Sequence, residues 1–219
     1  SDVMLMVHTQ PRHVFAMACN YKSHLYVSVF AKGAEIPSKF RFPQPFFKSP
    51  SSLLRHEGRI VIPQDATEEV HFEAEMVVVI GKRARKVSPE DALDYVLGVT
   101  CGNDVSERTW QRGDRTLWRA KNTDTFKPMG PWIETDADLE KMQTIIRVNG
   151  NEKDNFKTNN MIFDIPTYMS RMSDYMALEP GDVIWMGTDG VPENVKAGDT
   201  VEIEITGIGI LRNSIEKEE

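Results

Sequence analysis

The chain has 219 residues, of which 40% are hydrophobic and 27% charged, a balance typical of a folded globular protein rather than a disordered or fibrous one. Its 26 basic and 33 acidic residues give a net charge of −7, which argues against nucleic acid and anionic membrane as partners. Its two cysteines cannot form a disulfide framework or a zinc site by themselves. The first residues show no signal-peptide pattern, and the longest apolar run, Met76 to Ile80, is too short to span a bilayer. We therefore expect a protein of the cytoplasm or of an organelle matrix.

Short apolar segments dominate the first half of the chain. Residues 25–50 carry four prolines and little periodicity, so we expect a lid, a binding loop or a helix that cannot be placed. A capping serine followed by proline predicts a helix at residues 88–95, and a short helix is predicted at 106–111. Residues 14–18 form an apolar stretch, and strands are predicted at residues 60–62, 71–80 and 96–100.

The second half contains one predicted helix among further strands. Apolar residues at three- and four-residue spacing predict a helix over residues 165–178. The dipeptide Asn149-Gly150 predicts a hairpin turn, and the last five residues are expected to be a solvated tail. Because strands outnumber helices without regular alternation, we predict one α+β domain over residues 1–219, built on a mixed or antiparallel sheet. Its further strands are predicted at residues 144–148, 183–186, 201–205 and 208–211.

The sharpest chemical feature is the segment His71-Phe72-Glu73-Ala74-Glu75. Side chains alternate faces along a strand, so His71, Glu73 and Glu75 share one face and Phe72 and Ala74 the other. Two carboxylates about 6–7 Å apart at Cα could bind one cation between them, and oxygen ligands favour Mg²⁺, Mn²⁺ or Ca²⁺. The alternative is a half-exposed strand with an acidic face, which is the commoner origin of an isolated Glu-x-Glu pattern.

Four further residues could carry chemistry, and each has an ordinary structural alternative. Asp104 follows a predicted strand and could add a third carboxylate, or it could cap a turn. Lys121 could bind a carboxylate, although most surface lysines bind nothing. Thr188 could help to hold an anion, or it could belong to a plain turn. His24 could act as a general base, or it could be a satisfied structural histidine.

Ten short segments form an ordered set along the chain. They are Asn20-Tyr21 with His24; Pro45-Phe46-Phe47-Lys48; Phe72-Glu73-Ala74-Glu75; Val79-Ile80-Gly81-Lys82; Asn103-Asp104-Val105-Ser106-Glu107-Arg108; Lys121-Asn122-Thr123-Asp124-Thr125-Phe126; Gly130-Pro131-Trp132; Val148-Asn149-Gly150; Pro180-Gly181-Asp182-Val183-Ile184; and Gly187-Thr188. The set resembles the fumarylacetoacetate hydrolase superfamily over about residues 14–213. This resemblance implies a β-rich α+β mixed-sheet domain of the family's C-terminal type, a homodimer, and binding of Mg²⁺ or Mn²⁺, with Ca²⁺ as a substitute in a crystal.

The resemblance also implies roles for individual residues. The expected metal ligands are Glu73, Glu75 and Asp104, and the expected catalytic residues are Lys121 and His24. The substrate, a small 2-oxo acid, would be held by Arg108, Gln111, Lys121 and Thr188. Such an acid can chelate a metal through its carboxylate and keto oxygens, and the cation then stabilises an enolate.

The first expectation for the reaction is hydrolysis of an acylpyruvate-type C–C bond. The alternatives are isomerisation, decarboxylation or dehydration of a related oxo or hydroxydienoic acid, and a non-catalytic protein that binds metal and oxo acid. Hydrolytic relatives often pair the first-motif histidine with a glutamate three residues later, where this chain has Val27. Glu35 is a candidate substitute. The turn after Thr188 also lacks the proline often found there, so the substrate pocket is expected to differ.

Overall fold

The computed structural model describes residues 9–24, 42–190 and 193–219. Short strands make up most of the regular structure in these ranges, and the helices Arg108–Gly113, Trp118–Asn122 and Ile165–Ser173 are each brief. None of the helices in the described ranges is long and apolar enough to cross a membrane. The strands are β1 (Val14–Met17), β2 (Pro45–Lys48), β3 (Leu53–Leu54), β4 (Arg59–Ile62), β5 (Val70–His71), β6 (Ala74–Ile80), β7 (Val96–Asn103), β8 (Ser106–Glu107), β9 (Lys127–Glu134), β10 (Gln143–Val148), β11 (Asn151–Lys157), β12 (Val183–Trp185), β13 (Thr200–Ile205) and β14 (Gly209–Lys217).

The strands form two large sheets and one small ribbon. A seven-stranded sheet has the order β2-β1-β12-β6-β7-β9-β3, and a five-stranded sheet has the order β11-β10-β13-β14-β4. β5 and β8 pair separately as an antiparallel ribbon. Most pairings are antiparallel, but β1 with β12, β3 with β9 and β4 with β14 are parallel. The fold is therefore the β-rich α+β mixed-sheet domain that the sequence predicts.

β6 lies at the centre of the molecule and is buried on both faces. Met76, Val78 and Ile80 join the main hydrophobic core with residues of the five-stranded sheet. Val77 and Val79 pack on the opposite face in a second apolar cluster that includes Trp185. The neighbouring Glu75 is also buried, so the half-exposed acidic strand considered from the sequence is wrong.

Several strand predictions are confirmed. β4 and β10 match the predicted segments closely, and the apolar stretch at residues 14–18 forms β1. At the predicted hairpin between β10 and β11, Asn149 and Gly150 both have positive φ angles, 52° and 76°. This is the conformation that Asn-Gly adopts most readily in a two-residue turn.

The segment predicted as one strand at residues 71–80 is interrupted. β5 ends at His71, and β6 begins at Ala74. The 88–95 helix is also wrong, since only a 3₁₀ turn forms at Ala92–Tyr95. The Tyr95 carbonyl accepts hydrogen bonds from Gly81 N and Lys82 N, which ties this segment to the end of β6. The predicted 106–111 helix begins at Arg108 instead, because residues 106–107 belong to β8.

The remaining corrections concern element ends. The 165–178 helix ends at Ser173, where Arg85 Nη1 donates to the carbonyls of Ser173 and Asp174 at 2.7 and 2.8 Å. The predicted tail is solvated only in part: β14 continues to Lys217 alongside β4 and buries Ile215, whereas residues 217–219 are exposed. Gly130-Pro131-Trp132, one of the ten family-like segments, lies inside β9 and does not form a turn. Of the expected lid at residues 25–50, β2 occupies 45–48, while residues 25–41 lie outside the described ranges.

Candidate active site

The three acids predicted to bind metal come together where β6 and β7 meet. β6 and β7 are antiparallel neighbours, with Ala74 opposite Asn103 and Glu75 opposite Gly102. Asp104 follows β7 directly, and its backbone N donates to Glu73 O at 2.8 Å. The sheet register therefore places Asp104 beside both glutamates, and all three side chains are buried.

Positive side chains neutralise this acidic cluster. Lys121 Nζ lies 2.6 Å from Glu73 Oε2 and 2.8 Å from Asp104 Oδ2. Arg108 Nη2 donates to Glu73 Oε1, and Arg108 Nη1 donates to Gln111 Oε1 at 2.7 Å. Gln111 lies one helical turn after Arg108, so the two side chains share one face of the 108–113 helix.

Two buried lysines that pattern reasoning missed also contact Asp104. Lys48 Nζ lies 2.6 Å and Lys127 Nζ 2.7 Å from Asp104 Oδ1. Lys127 additionally donates to the Val105 and Phe126 carbonyls at 2.7 and 3.0 Å. Lys48 was part of the family-like segment Pro45 to Lys48, and this is the one signal that could have marked it. For Lys127 the sequence offers no such signal, apart from its position before a proline in a buried strand.

The balance of burial and charge differs among the three acids. Burial by itself raises the pKa of Glu73, but Lys121 and Arg108 outweigh burial and lower that pKa. Burial is likewise outweighed at Asp104, where Lys121, Lys127 and Lys48 hold the pKa well below its usual range. Glu75 differs, because burial and then the neighbouring Asp104 raise its pKa. Of the three carboxylates, Glu75 is thus the one whose negative charge is least neutralised by nearby cationic side chains.

The other predicted site residues reach the same pocket. His24 Nε2 lies 3.9 Å from Glu73 Oε1, and burial is the main cause that lowers the pKa of His24. Thr188 follows β12, and the adjacent Gly187 N donates to Glu75 Oε2 at 2.7 Å. The pocket has a volume of about 90 Å³, and among its walls are all eight predicted residues: His24, Glu73, Glu75, Asp104, Arg108, Gln111, Lys121 and Thr188. Val27 and Glu35 lie outside the described residues.

The acid cluster fits a divalent cation. One oxygen from each of Glu73, Glu75 and Asp104 lies within 4.8 Å of the other two. Oxygens bound to one Mg²⁺ or Ca²⁺ ion at about 2.0–2.6 Å fall within this separation. Lys121 already places an ammonium between two of the acids, so the cluster accommodates positive charge. The raised pKa of Glu75 marks a carboxyl that a cation would neutralise.

Comparison with known proteins identifies the family. The family model described as fumarylacetoacetate (FAA) hydrolase C-terminal matches residues 13–216. The chain belongs to the fumarylacetoacetate hydrolase superfamily. An uncharacterised protein of Methanocaldococcus jannaschii is 38% identical, over 100% of this chain and 89% of its own length. The expectation drawn from the ten short segments is thus confirmed.

Relatives with named activities cover several reactions. The 4-hydroxyphenylacetate degradation bifunctional isomerase/decarboxylase of Salmonella dublin is 38% identical over 94% of this chain and 47% of its own length. The oxaloacetate tautomerase YisK of Bacillus subtilis is 33% identical over 93% of this chain and 69% of its own length.

Solved structures of this superfamily share the fold. The 5-carboxymethyl-2-hydroxymuconate delta-isomerase of Mycobacterium smegmatis has a TM-score of 0.86 and 36% identity, over 96% of this chain and 81% of that one. The maleylpyruvate hydrolase of Sphingobium sp. SYK-6, in complex with manganese(II) and pyruvate, has a TM-score of 0.80 and 29% identity, over 96% of this chain and 72% of that one. Together the family and its relatives support an enzyme, and the named relatives include isomerases, a decarboxylase, a tautomerase and a hydrolase.

Proposed function

We propose that residues 1–219 form one catalytic domain of a divalent-metal-dependent enzyme, which moves a proton at the carbon beside the keto group of a 2-oxo acid. This is the chemistry of a keto–enol tautomerase or isomerase. The observation that carries the proposal is the cluster of Glu73, Glu75 and Asp104, whose oxygens lie within 4.8 Å of one another in a pocket shared with Lys121 and Arg108. A divalent cation at these acids would polarise the keto group of the bound acid.

Lys121 is proposed to stabilise the negative charge that develops on the keto oxygen. Its Nζ is buried and held between Glu73 and Asp104, so little reorganisation is needed when the charge appears. Arg108 and Gln111 are proposed to bind a carboxylate, because a guanidinium and an amide offer several donors on one side. Thr188, which also lines the pocket, is proposed to add a hydroxyl for the same purpose.

His24 is proposed to carry the proton. In the keto-to-enol direction it removes the proton from the carbon beside the keto group and passes it to solvent, and the enolate oxygen takes a proton from solvent. In the reverse direction, the enol oxygen loses its proton to solvent, and His24, protonated from solvent, delivers its proton to carbon. Imidazole suits this exchange because it can take up and release a proton near neutral pH.

Hydrolysis of an acylpyruvate-type C–C bond is the second candidate. His24 lies beside the Glu73 carboxylate, and such a carboxylate can orient an imidazole that activates water. Proton transfer ranks first because it does not require an activated water. It also agrees with the isomerase and tautomerase activities named for relatives that are 33–38% identical to this chain.

The deciding experiment follows enol–keto conversion of oxaloacetate, and in parallel cleavage of acetylpyruvate, with Mg²⁺ or Mn²⁺ and after chelation. We expect metal-dependent oxaloacetate conversion by the native protein and its loss in Glu73→Gln. Lys121→Met should lower kcat by about 10²–10³-fold, as for other groups that stabilise a developing oxyanion. The matched control is Glu216→Gln, which changes a half-exposed glutamate on β14 and should behave like the native protein.

The results separate the candidate functions. Acetylpyruvate cleavage without oxaloacetate conversion would replace the first candidate by the second. Binding of oxalate with no turnover of either compound would indicate a non-catalytic oxo-acid-binding protein. Equal metal-dependent activity in the native protein and Glu73→Gln would place the metal elsewhere and contradict the proposal.

We also propose that the protein is a homodimer, as the resemblance implies. Several large apolar side chains are strongly exposed in the single chain, among them Phe42, Phe47 and Trp118. Exposed apolar surface of this kind is typical of protein interfaces. Sedimentation at micromolar concentration should give about twice the chain mass of 24.9 kDa, and a mass near that of one chain would contradict the dimer.

A further inference from the structure

His71 lies beside the pocket, and the proposed chemistry gives it no role. It ends β5, which pairs with β8 so that His71 is opposite Ser106. The chain continues from β8 directly into the helix that begins at Arg108. This ribbon brings the His71 ring next to the guanidinium, and Arg108 Nε lies 3.0 Å from His71 Nδ1.

The geometry fixes the direction of this hydrogen bond. A guanidinium has only donors, so His71 Nδ1 must accept, and a neutral ring then carries its hydrogen on Nε2. Each of the three guanidinium nitrogens of Arg108 is therefore held by a different residue: Nε by His71, Nη1 by Gln111 and Nη2 by Glu73. These contacts use three of the five N–H groups and leave two, one on each Nη, for a ligand.

His71 is itself supported from the other side. It pairs with Asn194 in an isolated antiparallel bridge, and Val195 N donates to Val70 O at 2.8 Å. β5 thus lies between residues 194–195 and β8, the strand that leads into the helix carrying Arg108.

We propose that His71 is a positioning residue that orients the Arg108 guanidinium for the substrate carboxylate. The inference rests on the proposed role of Arg108 in the function above. Without its Nε acceptor the guanidinium is held only through its Nη groups, by Gln111 and Glu73, so its plane can tilt and the two unused Nη hydrogens lose their fixed direction. The effect of His71 should therefore appear in substrate affinity and depend on Arg108.

The test compares His71→Leu, which removes the acceptor, with His71→Asn, whose Oδ1 can accept near the position of Nδ1. With Mn²⁺ present, we expect His71→Leu to raise KM for oxaloacetate about tenfold and to change kcat by less than about threefold. His71→Asn should restore KM to within about threefold of the native value. If His71 had a purely structural role, His71→Leu would not change KM without changing kcat, and His71→Asn would not restore KM.

A double-mutant cycle provides the second readout. In an Arg108→Gln background, His71→Leu should have no further effect on KM, because the group that His71 orients is gone. Circular dichroism and urea midpoints establish that each variant is folded. If His71→Leu has the native KM, if His71→Asn fails to restore it, or if the two changes are additive, the inference is overturned and the proposed function stands. If the native protein neither converts oxaloacetate nor binds oxalate calorimetrically, the proposed function fails and the inference fails with it.

Discussion

Asn20 joins chain segments that lie next to the pocket. Its Nδ2 donates to Phe163 O at 3.0 Å and to Met186 O at 2.9 Å, and its Oδ1 accepts from Phe163 N at 2.9 Å. Asn20→Ala leaves three buried backbone groups without these partners, so we expect the free energy of unfolding to fall by about 2–4 kcal/mol. Urea denaturation followed by circular dichroism measures this loss. The control Asn151→Ala, at the exposed hairpin, should change the free energy of unfolding by less than about 0.5 kcal/mol. A native urea midpoint for Asn20→Ala would contradict the prediction.

Cys101 is expected to be chemically inert in the folded protein. It lies fully buried in β7, and burial raises the pKa of its thiol to about 12. Alkylation requires the thiolate, which such a thiol scarcely forms near pH 8. Iodoacetamide should therefore label Cys101 at least about 100-fold more slowly than Cys19, which lines the pocket, as followed by peptide mass spectrometry. Unfolding in urea should make the two cysteines react at similar rates. Equal labelling rates in the folded protein would contradict the prediction.

At the residue scale, the sequence predicts the acids of the site better than its lysines. Strand alternation puts Glu73 and Glu75 on one face, and this placement holds even though the strand is interrupted before Ala74. No comparable rule applies to Lys48 and Lys127, because lysine in a strand is usually exposed. Both are buried with Asp104, which follows β7, as an acidic partner, and that pairing depends on tertiary structure.

The end of β14 carries more stability than its charged sequence suggests. Ile215 is 2% exposed and lies opposite Ile60 in the parallel pairing with β4. Ile215→Ala should lower the free energy of unfolding by about 2–5 kcal/mol, because it leaves a cavity in the main core. The matched control, Glu216→Ala on the other face of the strand, should cost less than about 0.5 kcal/mol. Equal urea midpoints for the two variants would show that this end of β14 is frayed.

Elements whose determinants are local were predictable, and elements fixed by distant partners were not. The Asn149-Gly150 hairpin depends on the φ angles of two adjacent residues, and it forms as predicted. The last strand was truncated in the prediction because its charged end pairs with β4, about 150 residues earlier in the chain. The helix predicted to reach residue 178 stops at Ser173, where a distant arginine, Arg85, satisfies the last carbonyls.

At the scale of the molecule, the site depends on strand order. The seven-stranded sheet places β6 beside β7 and β12, although β12 lies about 100 residues later in the chain. This order brings Glu75, Asp104 and Gly187 together at one end of the sheet. Composition and strand spacing predict the α+β class, but strand order comes only from the family resemblance or from the structure.

Bound metal should stabilise the whole molecule, because its three proposed ligands join the start of β6 to the end of β7 in the central sheet. A ligand that binds only the folded state at about 100 times its dissociation constant adds about 2.7 kcal/mol. For a chain of this length, that corresponds to a rise in Tm of about 5–10 °C. Differential scanning fluorimetry with Mn²⁺, and again after chelation, should show this rise and its reversal. Asp104→Asn should lose the rise, whereas Asp136→Asn, an exposed change, should keep it. An equal rise in Asp104→Asn would mean that the stabilising ion binds away from the acid cluster, even if catalysis proved metal-dependent.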